Sequence, residues 1–324
     1  MKRSKSSTVL ASQEALYTRQ KGGFWPEFKK NKLLFLMIAP ATILLFIFAY
    51  VPMFGIIIAF KDFQYNLGVF KSPWVGLGNF KYFFESGMAW MLTKNTLFYN
   101  ITFLILGTVF RITLAIFISE MIGNRTKKTM QSIMIFPYFM SWVIVGGFAF
   151  SLLNYEYGAI NNILSAIGID KIDVYNSPGV WKYILTFTNL WKETGYGTIF
   201  YLAAITGISP ELYEAAYLDG AGLFKRIIHI TIPMLIPTVV ILLLLSLSGI
   251  LKGNFDMFYQ MIGNNGQLFD STDVIDTYVF RSLLTVKDFG LTAAAGFYQQ
   301  IIGFVLVMSV NYAVKRIDAD NALF

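Results

Sequence analysis

The chain is dominated by long runs of apolar residues that are separated by shorter polar segments. A helix that crosses a bilayer needs about 20 consecutive, mostly apolar residues. Six runs reach that length, at residues 33–60, 96–118, 130–153, 183–205, 234–251 and 291–314. The pattern therefore predicts an all-α, polytopic membrane protein with about six transmembrane helices. Pro40 and Pro52 fall inside the first run, where a missing backbone donor should bend or shorten the helix.

The composition supports this fold class and narrows the chemistry. Of the 324 residues, 56% are apolar and only 14% are charged, whereas soluble domains are about 25% charged. Cysteine is absent, and His229 is the single histidine. Disulfides, thiolate chemistry and Cys-based metal sites are therefore excluded, and imidazole chemistry has little support. We expect no metal, no cofactor and no enzyme activity in this chain.

The basic residues predict which side of the membrane each loop faces. With the N-terminus inside, the inward segments hold fifteen of the 26 lysines and arginines, and the longer outward segments hold nine. Because basic residues accumulate in cytoplasmic loops, both termini should be cytoplasmic. We predict a basic N-terminal tail (1–30), a transmembrane domain (31–317) and a short C-terminal tail (318–324). The basic tail is expected to lie against anionic lipid, and no nucleic acid is expected as a partner.

A longer polar segment, residues 209–233, lies between the fourth and fifth runs on the predicted cytoplasmic side. Ser209 suits an N-cap and Pro210 suits the first helical position, so a short helix should begin there. Gly220 tolerates the left-handed backbone angles that end a helix, and a second helix should run from about Leu223 into the fifth span. The segment is thus predicted to be a helix–turn–helix hairpin. From these residues alone, an ordinary connecting loop and a docking element both remain open.

The residues of this hairpin also match a known motif. The matching positions are Glu214, Ala215, Ala216, Asp219, Gly220, Ala221, Phe224, Ile230 and Pro233. This pattern resembles the EAA motif of bacterial ABC importer permeases, and its details are similar to the carbohydrate-uptake branch that includes the maltose permease subunits. The segments at 60–62, 72–77 and 79–80 look like the outer segment that follows the first span in this branch. Trp191 and Lys192 with Gly195, and the segment at 273–279, look like the subgroup that takes up polysaccharide fragments. The resemblance implies that the chain lies in a bacterial inner membrane. The resemblance covers about residues 30–317 and implies an importer-type ABC permease fold.

The resemblance implies a role for each part of the hairpin. In that family the motif forms the coupling helix, which sits in a groove of the ATPase subunit. The two alanines would allow close approach to the ATPase, and the two carboxylates of the motif would accept hydrogen bonds from the partner or within the loop. Gly220 would make the turn, and Phe224 would anchor the hairpin against its own spans. The partners implied are a cytoplasmic ATPase dimer, a second permease subunit that is a different chain, and an extracytoplasmic solute-binding protein.

Polar and aromatic residues in or near the predicted spans are the candidates for a substrate path. Such polar groups are costly inside a bilayer and usually face a cavity or a partner. The candidates are Asn189, Trp191, Lys192, Glu193, Tyr196, Asn254, Asp256, Tyr259 and Gln299. Lys192 and Glu193 are adjacent in sequence, so we expect their side chains to point in different directions. The alternative is that these groups join the two permease subunits or satisfy one another.

These features predict a permease subunit of an ATP-driven, binding-protein-dependent importer that works by alternating access. The sequence contains no G-x-x-x-x-G-K-[ST] segment, so ATP hydrolysis is assigned to a partner subunit. The resemblance implies an oligosaccharide substrate, and Lys192, Lys252 and Arg281 would suit an acidic polysaccharide fragment. A neutral sugar or another polar solute is the alternative substrate. A channel or secondary carrier that needs no ATPase is the alternative class, and an intramembrane enzyme would lack a reactive cluster.

Overall fold

A computed structural model describes residues 24–317 of the protein. Most of the predicted basic tail and the whole predicted C-terminal tail lie outside the described residues. The described part is helical and contains no strand, only an isolated antiparallel bridge between Lys61 and Trp74. The all-α prediction is therefore confirmed. The contacts divide the chain into two compact units, Met1–Gly55 and Ile56–Phe324.

The first unit is helical throughout its described part. Helix α1 covers Phe24–Lys30 and helix α2 covers Lys32–Leu45, and the chain continues through a π-helical segment and a 3-10 helix to the end of a 29-residue stretch, Lys32–Phe60. Pro40 lies inside α2 without ending it. The regular α-helix does end shortly before Pro52, because a proline has no N–H to donate to the carbonyl four residues earlier.

The second unit contains the remaining helices. Its first half comprises α3 (Gly68–Lys71), α4 (Gly78–Glu85), α5 (Met88–Glu120), α6 (Asn124–Ile135) with a 3-10 extension (Phe136–Phe139), α7 (Trp142–Leu153) and α8 (Ala159–Ala166). Its second half comprises α9 (Pro178–Thr206), α10 (Pro210–Leu218), α11 (Leu223–Arg226), α12 (Ile232–Leu247), α13 (Phe255–Ile262), α14 (Phe269–Thr272), α15 (Ile275–Arg281) and α16 (Phe289–Ile317).

Among the described residues, four helices are long and apolar enough to cross a membrane. They are Lys32–Phe60, Met88–Glu120, Leu223–Leu247 and Phe289–Arg316. A fifth crossing is reached if the bent pair Asn124–Phe139 and Trp142–Leu153 is one span. The remaining predicted crossing lies within α9, whose 29 residues extend about 43 Å. Polar residues along α9 keep it out of the apolar set, which is why the structure has fewer apolar crossings than the six predicted.

Three clusters of buried apolar side chains hold the second unit together. The first surrounds Trp181 and Phe258, between α5, α7, α9 and α13. The second surrounds Phe83 and Ile275, between α4, α5, α15 and α16. The third includes Tyr201 and joins α5, α9 and α12. This packing is the expected result for long helices that each bury one apolar stripe.

The connecting segments gather at two ends of the second unit. We call the end that carries residues 61–87, 154–177 and 248–288 the loop end, and the end that carries residues 119–131 and 206–226 the hairpin end. Contacts across the loop end join distant segments, such as the bond from Asn95 Nδ2 to the Asp273 carbonyl (3.1 Å). The candidate residues therefore fall into groups at the hairpin end, at the loop end and between them.

Candidate functional site

The hairpin begins as the sequence predicted. Helix α10 starts at Pro210, which occupies the first turn, where a missing N–H costs no helical hydrogen bond. Glu211 also lies in that turn, where the helix dipole favours a negative charge. Ser209 occupies the N-cap position, but its side chain makes no capping hydrogen bond. The predicted start of the helix and the N-cap position of Ser209 are both confirmed.

The turn of the hairpin is a complete Schellman motif. The Ala221 N–H donates to the Ala216 carbonyl (2.9 Å), and the Gly220 N–H donates to the Tyr217 carbonyl (3.0 Å). Gly220 has a φ of 76°, and Asp219 is the last residue before it. A left-handed residue at this position is nearly always glycine, because a Cβ atom strains the backbone there. The prediction that Gly220 makes the turn is confirmed.

The second arm of the hairpin runs directly into the helix that corresponds to the fifth predicted crossing. Helix α11 passes through a π-helical turn, Ile227–Thr231, into α12 without a break, as the 25-residue stretch Leu223–Leu247. Pro233 lies in the first turn of α12 and has no N–H, which explains why the helix adopts a wider turn just before it. Tyr213 Oη and Thr231 Oγ1 lie 3.0 Å apart and connect the two arms. Helix α10 is therefore connected to the long apolar helix both through the chain and through this hydroxyl contact.

The hairpin exposes three large apolar side chains. The exposed fractions are 73% for Tyr217, 85% for Leu218 and 78% for Phe224, and Glu214 and Ala215 are also exposed. Phe224 does not pack against the spans of its own chain, so the prediction that it anchors the hairpin internally is wrong. Exposed apolar side chains that cluster in this way are typical of an interaction surface. We call these five residues the hairpin patch.

The third predicted crossing is broken in the middle of the second unit. The Asn124–Phe139 and Trp142–Leu153 helices meet at 89°, so the prediction of one continuous helix at 130–153 is wrong. Pro137 lies in the 3-10 turn before the break, and Ser141 Oγ accepts a hydrogen bond from the Ile144 N–H (3.4 Å) to start the next helix. Proline and a serine cap thus stop one helix and begin another.

Lys192 of α9 stabilises the break. Its ammonium donates to the Tyr138 carbonyl at 2.8 Å and lies 5.1 Å from the centres of both the Tyr138 and Trp142 rings. The residue is only 5% exposed. Tyr196 stacks on Tyr138 with a ring-centre distance of 4.1 Å. A cation over aromatic faces is favourable when it is desolvated. We call this group of residues the aromatic–lysine cluster; its members are Lys192, Tyr138, Trp142, Tyr196 and Glu193.

Lys192 and Glu193 also approach one another, contrary to the expectation of divergent side chains. Their charged atoms are 4.0 Å apart, because both side chains are long enough to fold back along the helix. The charge of the lysine is thus largely compensated within the chain. The next turn of α9 carries Gly195, where a Cβ atom would lie 1.7 Å from the Met134 carbonyl oxygen. This glycine allows α9 to touch α6 beside the break.

The other predicted path residues have separate surroundings. Trp191 lines an almost wholly apolar cleft of about 420 Å³ between α5, α6 and α9. Asn189 donates to the sulfur of Met257 at 3.7 Å. Asn254 caps α13 by accepting from the Met257 N–H at 3.2 Å. Asp256 is exposed on the same helix, where Tyr259 stacks on Phe255. These residues therefore occupy at least two sites, not one continuous polar lining.

Gln299 belongs to a polar network at the loop end. Its amide donates to the Leu251 carbonyl (2.6 Å) and to Asp276 Oδ2 (3.0 Å), and the residue is buried. Asp276 Oδ2 also accepts from the Gly253 N–H (2.6 Å). The position of Gln299 is thus explained by packing of α16 against the segment before α13.

The sequence analysis missed residues that the structure brings to these sites. Tyr138 and Trp142 carry no sequence signal beyond their place next to Pro137, because nothing local shows that a lysine from another helix lies over their rings. A second missed feature is the buried Asp273 carboxylate, which is paired with Arg281 and accepts from Thr277 Oγ1 (2.6 Å). Arg281 in turn lies 3.7 Å from the centre of the Phe269 ring. The ion pair thus connects the residues just before α15 to the end of that helix, at the loop end.

Comparison with known proteins gives consistent matches. The sequence profile of the family described as binding-protein-dependent transport system inner membrane component matches residues 111–319. Protein LplB of Bacillus subtilis is 33% identical, over 97% of this chain and 99% of its own length. The polygalacturonan/rhamnogalacturonan transport system permease protein YteP of the same species is 36% identical, over 90% of each chain.

Solved structures match to a similar extent. A crystal structure of a bacterial ABC transporter involved in the import of the acidic polysaccharide alginate has a chain that superposes with a TM-score of 0.82 at 34% identity. The match covers 91% of this chain and 99% of that one. A bacterial alginate ABC transporter in complex with a periplasmic protein that binds an alginate pentasaccharide gives a TM-score of 0.80, also at 34% identity.

Proposed function

The chain belongs to the family of inner-membrane components of binding-protein-dependent transport systems, and on that basis we propose that it is a permease subunit of an ATP-driven oligosaccharide importer. The observation that carries the proposal is the hairpin, a helix–turn–helix that is continuous with a long apolar helix and exposes large apolar side chains. The relatives named for polysaccharide transport, at 34–36% identity over about nine-tenths of the chain, support a saccharide as the substrate.

The hairpin is proposed to couple this chain to a cytoplasmic ATPase dimer. The exposed apolar residues supply area for an interface, and Glu214 adds a carboxylate that a basic group of the partner would meet. Ala215 and Ala216 leave room for close approach. Because α11 continues into α12, a movement of the ATPase would tilt the fifth crossing. Alternating access would follow when this movement and that of a second permease subunit reorient the central cavity.

The aromatic–lysine cluster is the proposed inner part of the substrate path. Sugar rings stack on aromatic faces through their C–H groups and need hydrogen-bond partners for their hydroxyls. Tyr138, Trp142 and Tyr196 supply the faces, and Glu193 supplies acceptors at the break in the third crossing. The site also lies where non-helical backbone is tolerated in membrane proteins, beside a cavity or protein contact.

The surroundings of the three cations that suggested an acidic substrate bear on the charge of the proposed substrate. Of the three that favoured an acidic fragment, Lys192 is compensated by Glu193, and Arg281 is paired with Asp273. Lys252 alone is exposed, without an ion pair among the described residues. These contacts weaken the case for an acidic fragment and favour the neutral alternative. Uptake of neutral against uronate oligosaccharides of equal length would separate the two.

The coupling proposal is tested with a pair of matched glycine variants. Gly220 and Gly168 both end short helices in Schellman motifs with positive φ, and a Cβ at either meets nothing within 4 Å. Gly220→Val at the hairpin end should abolish co-purification of the ATPase and sugar uptake. Gly168→Val at the loop end should leave the ATPase bound, because it carries the same local strain away from the hairpin.

The alternative class predicts a different result. A channel or secondary carrier would transport sugar without any ATPase, so uptake into vesicles would persist when the ATPase subunit is left out. Full retention of the complex and of uptake in Gly220→Val would overturn the coupling proposal.

A further inference from the structure

A cleft of about 900 Å³ with a mixed polar and apolar lining opens at the loop end, away from the aromatic–lysine cluster and the hairpin. Its walls are α7, the segment 154–176 and the residues that end α13. Gly146 allows the close contact on which the cleft is built, because a Cβ there would lie 2.4 Å from the Gln260 carbonyl oxygen. Gly147, one residue later, leaves the wall open, with nothing within 4 Å of an added Cβ. No residue of the aromatic–lysine cluster lines this space.

The walls of the cleft are held by carboxamide side chains. Asn154 Oδ1 accepts from the Glu156 N–H at 2.9 Å, and Asn265 Nδ2 donates to the Tyr175 carbonyl at 2.8 Å. Two further carboxamides, Gln260 and Asn264, line the cleft and make no side-chain hydrogen bond within the described chain. Each offers donors and acceptors to a ligand. A ligand rich in hydroxyl groups, which are both donors and acceptors, matches this lining.

Aromatic rings supply the second requirement for a saccharide. Phe150, Tyr155 and Tyr175 line the same cleft, with Phe150 packed edge-on to Tyr175 at 5.7 Å. The Tyr175 hydroxyl is protonated at neutral pH, as tyrosine hydroxyls ordinarily are, and can act as both donor and acceptor. Half-exposed rings beside carboxamides are the combination that binds the apolar face and the polar rim of a sugar ring.

The charges of the cleft choose between neutral and acidic sugars. Glu156 and Asp173 line it, and no lysine or arginine does. Lys171 lies next to the cleft, where its ammonium donates to the Glu156 carbonyl (3.2 Å) and lies over the Tyr155 ring. Recognition of a carboxylate normally uses a guanidinium or ammonium group, and like charges disfavour binding. A uronate would meet two carboxylates that line the cleft and one ammonium beside it, so the balance of charge opposes its binding.

We propose that this cleft is a saccharide subsite at the mouth of the path, which takes a short neutral segment of an oligosaccharide and excludes uronate residues. The proposal rests on the function proposed above and adds the chemical class of the sugar at this position. Gln260 and Asn264 bind hydroxyls, the three rings pack against sugar faces, and Glu156 sets the selection against negative charge.

The test measures binding directly, without ATP and without the solute-binding protein. The assembled transporter in nanodiscs is titrated with maltopentaose, xylopentaose and pentagalacturonate. We expect at least one neutral pentasaccharide to bind and pentagalacturonate to bind at least tenfold more weakly. Gln260→Leu combined with Asn264→Leu should weaken neutral binding at least tenfold, whereas Gln267→Leu, an exposed carboxamide outside the cleft, should not. Glu156→Lys should strengthen binding of pentagalacturonate.

The outcomes separate this proposal from the function on which it rests. Thermal unfolding and ATPase co-purification of each variant show that it is folded and assembled. The subsite would be overturned if the unaltered protein bound pentagalacturonate as tightly as the neutral sugars or more tightly, or if it bound none of the three sugars. It would also be overturned if Gln267→Leu weakened the binding of the neutral sugar as much as the double variant does. If the unaltered, complete transport system took up none of these sugars in the presence of ATP, the importer function itself would be overturned.

Discussion

Gly195 shows how a single missing side chain positions two helices. It lies where α9 crosses α6, and an added Cβ would be 1.7 Å from the Met134 carbonyl oxygen, a distance that only a backbone shift relieves. We expect Gly195→Ala to destabilise the protein by about 1–3 kcal/mol, as overpacking does, and to reduce uptake. Thermal unfolding of the purified protein measures the first effect.

A glycine on the same helix provides the control. Gly179 lies in the first turn of α9 and has nothing within 4 Å of an added Cβ. Gly179→Ala should be neutral or stabilising by up to about 1 kcal/mol, because alanine loses less backbone entropy in a helix. Equal unfolding temperatures for the two variants would contradict the proposed close contact.

Asp276 makes the stability of the loop end depend on pH. Burial raises the pKa of this carboxyl above its ordinary value, although the Gly253 N–H and the Gln299 amide oppose the shift. The folded state therefore holds the proton more tightly than the unfolded chain, whose pKa is about 4. The stability from this group is fully present below that value and is lost as the pH rises through the folded pKa.

Asp276→Asn separates the charge from the hydrogen bonds. The amide oxygen still accepts from both donors, but the buried charge is absent. We expect the variant to unfold at a higher temperature than the unaltered protein at pH 7, with a smaller difference at pH 4.5. Asp170→Asn, at an exposed position of the loop end, should show neither effect. A loss of stability in Asp276→Asn that is the same at both pH values would refute this account.

At the scale of the element, the hairpin is formed by local interactions, whereas its exposed side chains are available to a partner. Pro210, Gly220 and the glycine-ended turn are all determined by neighbouring residues, which is why the sequence predicted the hairpin. Phe224 is different, because its 78% exposure depends on where the spans lie. A large apolar side chain so exposed at a membrane-distal turn is best explained by a partner that covers it.

Phe224→Ala tests whether the hairpin patch binds the ATPase. The side chain contributes little to the fold of this chain, so the unfolding temperature should stay unchanged. Loss of an interface anchor typically weakens binding by more than about 1 kcal/mol, which corresponds to a loss of more than about fivefold in the affinity for the ATPase. Surface plasmon resonance with the purified ATPase measures it. Phe70→Ala, at an 88% exposed phenylalanine of the loop end, is the control and should not change the affinity.

The broken third crossing is an element that the sequence did not predict. Apolar periodicity across 130–153 is uninterrupted, and Pro137 alone does not decide between a kink and an 89° break. The break persists because α9 supplies what it lacks. Lys192 satisfies the Tyr138 carbonyl, and Gly195 admits the backbone of α6. Both contacts are made by residues more than 50 positions away in sequence, so local propensity carries no information about them.

At the scale of the whole molecule, the two ends are proposed to face opposite sides of a membrane. The absence of cysteine allows a direct test, because single cysteines can be introduced without background. Asp219→Cys at the hairpin end and Ser165→Cys at the loop end are both exposed positions. In intact cells, a membrane-impermeant maleimide should label the loop-end cysteine and spare the hairpin-end cysteine until the cells are opened. The reverse pattern would invert the proposed orientation.

The sequence by itself determined the features that depend on neighbouring residues and on composition. Apolar runs predicted a helical membrane protein, because a bilayer requires long stretches without charge, and the glycine turn and proline start predicted the hairpin. The motif in that hairpin indicated the family, which the comparisons confirmed. Each of these signals is written in consecutive residues.

Only the tertiary structure decided the surroundings of the polar residues. It placed Lys192 over Tyr138 and Trp142, engaged Gln299 with Asp276, and left Phe224 exposed. It also formed the cleft at the loop end from α7, the segment 154–176 and the end of α13. The physical reason is that a buried polar group is defined by its partners, and these partners come from helices that are distant in sequence and adjacent only after packing.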